Sequence, residues 1–223
     1  MKAIIRSLLL LLTLVMPSLC LAILNVGIGK SDLTPAINVS STGYKERKGE
    51  RMEGVHDPLL TLALFIDNGE KKIVLCSVDH LGFTHEMVQA IVEKVHREPR
   101  LEDCEIYIAS SHTHSGGGAY LNIPIIGETL AGAYNPQVTK FYIEKSVEAI
   151  IQASQNLVSA NIGIGYGTAG ELSKYRGLWP MDIAPLRDVT VIKVTKQDHT
   201  PLAVLFNYPV HPTLLNNLSF GFI

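Results

Sequence analysis

The sequence predicts an α/β fold: a mixed β-sheet with hairpins and a βαβ unit, and with helices packed on the sheet. Three observations carry that prediction. Asn68-Gly69 sits between two apolar runs, 59–66 and 72–78, which is the strongest short-range hairpin signal. A strand, a helix and a second strand then follow between residues 72 and 110, the length of a βαβ crossover with parallel strands. Two later apolar runs, 188–195 and 202–208, read as a second hairpin joined through 196–201.

In chain order, the first 22 residues stand apart from the fold. Lys2 and Arg6 supply a positive start, 8–15 is an apolar core, and Pro17 breaks it. Cys20-Leu21-Ala22 fits a small-x-small cleavage site, so 1–22 is read as a secretory signal peptide. The apolar run is short for a membrane span, and Leu19 before Cys20 argues against a lipid anchor there. The mature chain, 23–223, is therefore expected to be secreted or periplasmic.

Residues 24–28 form a short strand that leads into Gly29-Lys30-Ser31-Asp32-Leu33-Thr34-Pro35. The stretch 38–53 is polar and contains glycine, and reads as a long loop of the kind that carries function or moves. The strands of the first hairpin are apolar on successive residues, so both sheet faces are covered. Thr84 caps a helix with Glu86 in its first turn, and Met87, Ile91 and Val95 share one stripe. Pro99 stops it, and a strand begins at Glu105. Residues 120–133 are irregular and partly apolar, suited to lining a greasy substrate site or to packing locally. Asn135-Pro136 opens a second helix, with an apolar face from Phe141 through Ile143, Val147, Ile150 and Ile151 to Leu157. A strand at 161–166 and a loop at 169–185, carrying Arg176 and Trp179, precede the second hairpin. The final Phe220-Gly221-Phe222-Ile223 is apolar, which predicts a domain incomplete at its carboxyl end.

Hydrophobic residues make up 47% of the 223 and charged ones 18%, enough for a sizeable core and against disorder. The net charge is −2 with no clustered basic face, so no nucleic-acid partner is expected. Cys76 and Cys104 both lie in or beside apolar strands. Export permits a disulfide, and the apolar setting equally suits buried thiols.

The chemistry concentrates at 105–118, EIYIASSHTHSGGG. It begins as an alternating strand, then places His112 and His114 among four hydroxyl residues before three glycines. In an extended backbone, residues two apart face one side, so both imidazoles would point together. Imidazole is the commonest protein metal ligand and a general acid or base near neutral pH. Glycines past a strand end allow close approach of a ligand. The plainer alternative is a pair of surface histidines before a flexible turn. Asp79-His80 ends a neighbouring strand and either backs a ligand from behind or caps a turn. His85 and His96 are expected in solvent on a helix, His199 in a hairpin turn, and His56 fixing a turn with Asp57-Pro58.

The order of several short motifs resembles the amino-terminal catalytic region of neutral (non-lysosomal) ceramidases and their shorter bacterial relatives. These are Gly29-Lys30-Ser31-Asp32-Leu33-Thr34-Pro35, Gly43-Tyr44, Gly54-Val55-His56-Asp57-Pro58-Leu59 and Ser77-Val78-Asp79. His112-Thr113-His114-Ser115-Gly116, Arg176 and Asn207-Tyr208-Pro209-Val210-His211-Pro212-Thr213 complete the series. The resemblance implies a Zn2+-dependent amidohydrolase of N-acyl sphingoid lipids, with a ceramide-like substrate and peripheral contact with membranes. It makes His112 and His211 metal ligands, His114 a catalytic contact to substrate or transition state, and Arg176 a substrate-binding residue. Tyr175 replaces the asparagine usual before that arginine, and Gly117 stands where proline is usual. The family's glutamate and tyrosine ligands and its serine segment lie further on than Ile223, so 23–223 reads as part of a catalytic domain, inactive alone. A zinc hydrolase of another amide or ester, and a truncated non-catalytic lipid-binding domain, are the alternatives. His112 and His211 each follow a strand, and parallel strands sharing one end would bring them together.

Overall fold

The computed structural model describes residues 24–36, 38–47, 49–173 and 187–215. The expected signal peptide, Arg176, Trp179 and the apolar carboxyl end lie outside the described residues.

Seven strands form one mixed sheet among those residues: β1 (Asn25–Asp32), β2 (Leu60–Asp67), β3 (Lys72–Val78), β4 (Glu105–Ser110), β5 (Leu157–Thr168), β6 (Asp188–Lys196) and β7 (Pro201–Asn207). Their order is β4-β3-β2-β1-β5-β6-β7. The first hairpin is β2–β3, closed by Asn68, whose Oδ1 accepts from the amides of Glu70 and Lys71, and by Gly69 at φ +86°. The pair β3–β4 is parallel, as the βαβ reading requires. The second hairpin is β6–β7, with a register shift between Val194 and Thr195.

The helices are α1 (His85–Val95), α2 (Ile126–Ala131) and α3 (Pro136–Gln155). Thr84 caps α1 by accepting from the Met87 amide, and Met87, Ile91 and Val95 are its buried stripe. The helix ends at Val95, before Pro99. Asn135 caps α3 through the Gln137 amide, with Pro136 in the first turn, where its missing N–H costs nothing. The face of α3 runs along β1, and two glycines set the distance. A Cβ on Gly27 would overlap the Ala153 carbonyl, and one on Gly29 the Ala149 carbonyl. Helix α2 is a turn of structure inside the stretch read from sequence as irregular. Leu157, assigned above to the end of the helix face, is the first residue of β5.

The core lies on both faces of β1–β3. Ala63, Phe65, Val74, Cys76 and Val78 face the helices, beside Ile91, Tyr142 and Ile150. Val26 and Leu64 pack on the other face with Ala160 and Val194, flanked by Ile28, Leu75 and Ile192. The expectation of two covered faces holds on the helix side, and on the other side only around Leu64, since Leu62 is 44% exposed and Ser77 is exposed as well. Cys76 and Cys104 are both buried free thiols, so the sequence's disulfide alternative is not the one formed.

One feature of the sheet decides how the site is assembled. Strand β5 is shared: Leu157–Ser159 pair with β1, and Ala160–Thr168 pair with β6. It carries the chain from one half of the sheet to the other. Strands β4 and β7 therefore lie at opposite edges, and the chain of pairings makes them run in opposite directions.

Candidate metal centre

His112, His114 and His211 meet in space. Each offers one nitrogen, and the three nitrogens lie within 4.8 Å of one another. Ring centroids are 5.2 Å apart for His112–His114, 5.1 Å for His112–His211 and 4.6 Å for His114–His211. Nε2 of His114 faces Nε2 of His211 at 2.8 Å. The pairing predicted from sequence is therefore found, and by a different route. The histidines do not follow neighbouring parallel strands. They follow the two edge strands, which run oppositely, and the segments beyond those strands bring the rings together.

The extended H-x-H geometry is also corrected. Strand β4 ends at Ser110, and His112 adopts φ +58°. Histidine is among the residues that tolerate this left-handed region, at some cost in strain. Three bonds hold it there. Ser111 N–H donates to Val78 O at 2.9 Å, and His112 N–H to His80 O at 3.0 Å. His112 Nδ1 lies 2.7 Å from Leu81 O. A carbonyl only accepts, so Nδ1 carries the proton and Nε2 keeps its lone pair for the cluster.

His114 is held by the loop read from sequence as long and polar. That loop is less exposed than its composition suggests, with Val39, Ser40, Ser41, Thr42, Arg47 and Met52 all buried. Ser40 pairs with Arg51, and Lys45–Arg47 is a short 3₁₀ turn. Arg47 is 1% exposed. Its Nη1 donates to His114 O at 2.7 Å and to Thr42 O at 3.2 Å. Its guanidinium lies 4.7 Å from the Tyr44 ring centroid, and Tyr44 meets His114 edge-on at 4.9 Å. Tyr44 O–H donates to Leu215 O, tying down the segment that carries His211. Gly43, at φ +106°, abuts the His114 ring, where a Cβ would fall 2.7 Å from Cγ. Sequence reasoning quoted Gly43-Tyr44 but missed Arg47. A buried arginine inside a polar stretch has no periodic signature.

Burial pushes the His114 imidazole down to about 4, helped by His211 and His112. The ring is neutral at pH 7, the form that binds a metal or accepts a proton. The Nε2 atoms of His112 and His211 are donors of the kind a zinc ion takes, at roughly 2.0–2.1 Å per nitrogen. The residues present fit the metal: these two imidazoles supply part of a ligand set, and His114 Nε2 stands beside them.

His80 stands behind His112 and is fully buried. Its ring meets Phe83, Tyr120 and Tyr142 edge-on at 4.8, 4.2 and 4.8 Å. Nδ1 accepts from the Gly82 amide at 3.2 Å. Burial holds its pKa down to about 3, so the ring is neutral. Asp79 ties the end of β3 to the start of β2 and, among the described residues, caps no turn of its own. Its Oδ2 accepts from Leu60 N–H, and its own N–H donates to Leu60 O. His56 bonds Asp57, as the turn reading predicts. His96 differs from expectation, because its Nε2 meets Cys104 O at 3.0 Å. His199 is exposed at φ +67° in the β6–β7 turn.

The profile described as neutral/alkaline non-lysosomal ceramidase, N-terminal, matches residues 24–219. Neutral ceramidase A of Dictyostelium discoideum is 23% identical over 210 residues, covering 87% of this chain and 29% of that protein. Neutral ceramidase B of the same organism is 22% identical, with the same coverage. The crystal structure of neutral ceramidase from Pseudomonas aeruginosa aligns with a TM-score of 0.72 at 17% identity, over 85% of this chain and 32% of that one. A ceramidase complexed with C2 aligns at 0.68 and 17%, over 85% and 31%. These likenesses establish the fold, and the chain spans less than a third of the length of each relative.

Proposed function

Because the chain belongs to the neutral/alkaline non-lysosomal ceramidase family, we propose that it forms part of a zinc-dependent amidohydrolase acting on ceramide-like N-acyl sphingoid lipids. The single observation that carries this is the convergence of His112, His114 and His211 at one point, inside the stretch 24–219 that the family model matches. The relatives are named neutral ceramidases, which supports the substrate class.

In this reading His112 and His211 hold the metal through Nε2. A bound zinc supplies Lewis acidity toward an amide carbonyl. His114 is neutral and presents Nε2 beside the metal ligands, placed to accept a proton from, or bond to, the reacting group. Arg47 fixes the backbone at His114, and the Leu81 carbonyl fixes the proton of His112 on Nδ1. The three histidines supply only part of the machinery. By resemblance the remaining ligands and the serine segment lie in parts of the longer relatives that this chain does not span, so residues 23–223 alone are expected to bind zinc weakly and turn over nothing. Arg176 is retained as a substrate-binding residue on the resemblance alone. Export follows from the signal-like 1–22, and an amino terminus at Ile23 by mass spectrometry is the check.

Lipid-surface contact falls on the segment after the glycines. Ile123, Ile125 and Ile126 stand exposed, Ile125 at 83%. The segment is tied to the site by Gly43 N–H to Leu130 O and Ser40 Oγ–H to Ala131 O. Among the described residues no helix is long and apolar enough to cross a membrane.

The test is metal content per chain alongside turnover of a fluorescent ceramide, in the longest form of the protein that is active. His112→Ala and His211→Ala should each lower zinc occupancy and activity together. His114→Ala should keep most of the zinc and lose turnover, and His199→Ala should change neither. Full zinc and full activity in His112→Ala or His211→Ala overturns the site.

A further inference from the structure

We propose that His80 is a positioning residue: its Nδ1 closes the turn that aims the Leu81 carbonyl at His112, and so decides which nitrogen of His112 faces the metal. The inference rests on the reading of His112 as a metal ligand. It adds a fourth histidine, one that binds no metal.

The geometry is a relay of backbone groups. His80 Nδ1 accepts the Gly82 N–H, in the manner of an Asx turn, and pins residues 80–82. That turn presents two carbonyls to the next strand end. His80 O receives the His112 N–H at 3.0 Å, and Leu81 O receives the His112 Nδ1–H at 2.7 Å. Both bonds act on a residue in the left-handed region, φ +58°, which the chain alone would not favour. Rotating Leu81 O away would free the His112 ring to exchange tautomers, and Nε2–H cannot bind a metal. A ligand histidine is generally oriented by the partner of its other nitrogen. Here that partner is a carbonyl, and the carbonyl is oriented by His80.

Packing alone does not account for an imidazole at this place. The pocket made by Phe83, Tyr120 and Tyr142 is aromatic, and His80 is 0% exposed. With Nδ1 accepting, the proton sits on Nε2, and that atom has no hydrogen-bond partner among the described residues. A buried N–H without a partner is unfavourable, so an apolar side chain would fill the pocket at lower cost. What an apolar side chain lacks is the acceptor for Gly82.

The experiment compares His80→Asn with His80→Leu in the full chain. The two are close in size, so lost ring packing is common to both. Asn retains an acceptor that can reach the Gly82 amide, and Leu has none. Zinc affinity is read by chelator competition with Zn2+ alone, and the ring proton of His112 by 15N NMR of the metal-free protein. His80→Leu should bind zinc at least tenfold more weakly than His80→Asn, within the 10- to 100-fold range for outer partners of a ligand. It should also lose the Nδ1–H form of His112, which His80→Asn should keep. Should His80→Leu not fold, His80→Phe, which refills the aromatic pocket, takes its place with the same expectation. Equal zinc affinity, within threefold, and an unchanged His112 tautomer in the acceptor-free variant overturn the proposal. So does a result in which neither Leu nor Phe folds while Asn does, since the acceptor then serves the fold and not the site. A wild-type chain that binds no zinc but shows the His80-dependent tautomer refutes the metal reading and leaves the positioning role standing.

Discussion

Replacing Arg47 by methionine removes a buried charge while keeping most of its aliphatic volume. Among the interactions that go with it are the bond to His114 O at 2.7 Å, the bond to Thr42 O at 3.2 Å, the longer bond to Ser41 Oγ at 3.5 Å, and the stack on Tyr44 at 4.7 Å. Hydrogen bonds to a charged group contribute about 1.5–3 kcal/mol each, and a cation–π contact about 0.5–2 kcal/mol. Against this stands the desolvation of the guanidinium, several kcal/mol, which also holds its pKa below the usual arginine range. The balance is a net loss of roughly 2–4 kcal/mol, and a domain of this size loses ~2–4 °C of Tm per kcal/mol. The Met variant should therefore melt roughly 5–15 °C lower. Arg47→Lys should recover less than half of that, because an ammonium lacks the planar guanidinium that lies against the Tyr44 ring. Thermal and urea unfolding of the metal-free chain provide the magnitude, and zinc titration shows whether His114 has shifted. A Met variant within about 0.5 kcal/mol of wild type, with unchanged zinc affinity, would refute the reasoning.

Gly43→Ala places a Cβ 2.7 Å from His114 Cγ at φ +106°, and should cost roughly 1–3 kcal/mol and weaken zinc binding; a neutral result in both measurements contradicts the close packing. His80 and His114 are held to about 3 and about 4, below the 6.5 of a free imidazole, so the unfolded chain binds protons that the native chain refuses. Metal-free stability should be full above pH 6.5 and fall as pH drops from there toward 3, and a urea midpoint that stays level from pH 7 to 5 would be inconsistent with those burials. Burial raises the Cys76 thiol to about 12 and the Cys104 thiol to about 11; both should resist iodoacetamide at pH 8 until the chain unfolds, and rapid labelling of the native protein would count against it. Ile125→Asp should reduce sedimentation with phosphatidylcholine vesicles and leave the urea midpoint unchanged, because that side chain is 83% exposed; unaltered vesicle binding removes the segment from lipid contact.

Much of this architecture was legible before the structure. Asn68-Gly69, the capped stripe of α1 and the second hairpin are local signals, set by neighbours a few residues away, and they appear where the pattern puts them. The H-x-H pair and His211 were legible as ligand types at strand ends. How they meet was not. Periodicity reports which face of an element is apolar, and says nothing about a strand such as β5 that pairs on one side with its first residues and on the other with its last. Arg47 escaped for a related reason, and His80 was named only together with Asp79, as one of two alternatives. Their roles depend on burial imposed by distant segments, α2 and the 116–120 backbone for one and Tyr120 and Tyr142 for the other. The assumption of an extended backbone through His114 failed because the bonds to Val78, His80 and Leu81 turn the chain at His112.

The placement of the histidines after the two edge strands has a consequence for how the protein is made. His114 and His211 are 97 positions apart, and closing a loop that long costs on the order of 4–5 kcal/mol of chain entropy. No local element prepays that cost, and β7 is the last of the seven strands to leave the ribosome. The centre therefore cannot form before β7 has emerged, and it cannot form on a chain whose final hairpin is unpaired. An ion held there would act as a clasp across the finished sheet, slowing unfolding more than it hastens folding. Metal occupancy then becomes a test of completion: only a chain with both sheet edges in place can take the ion up.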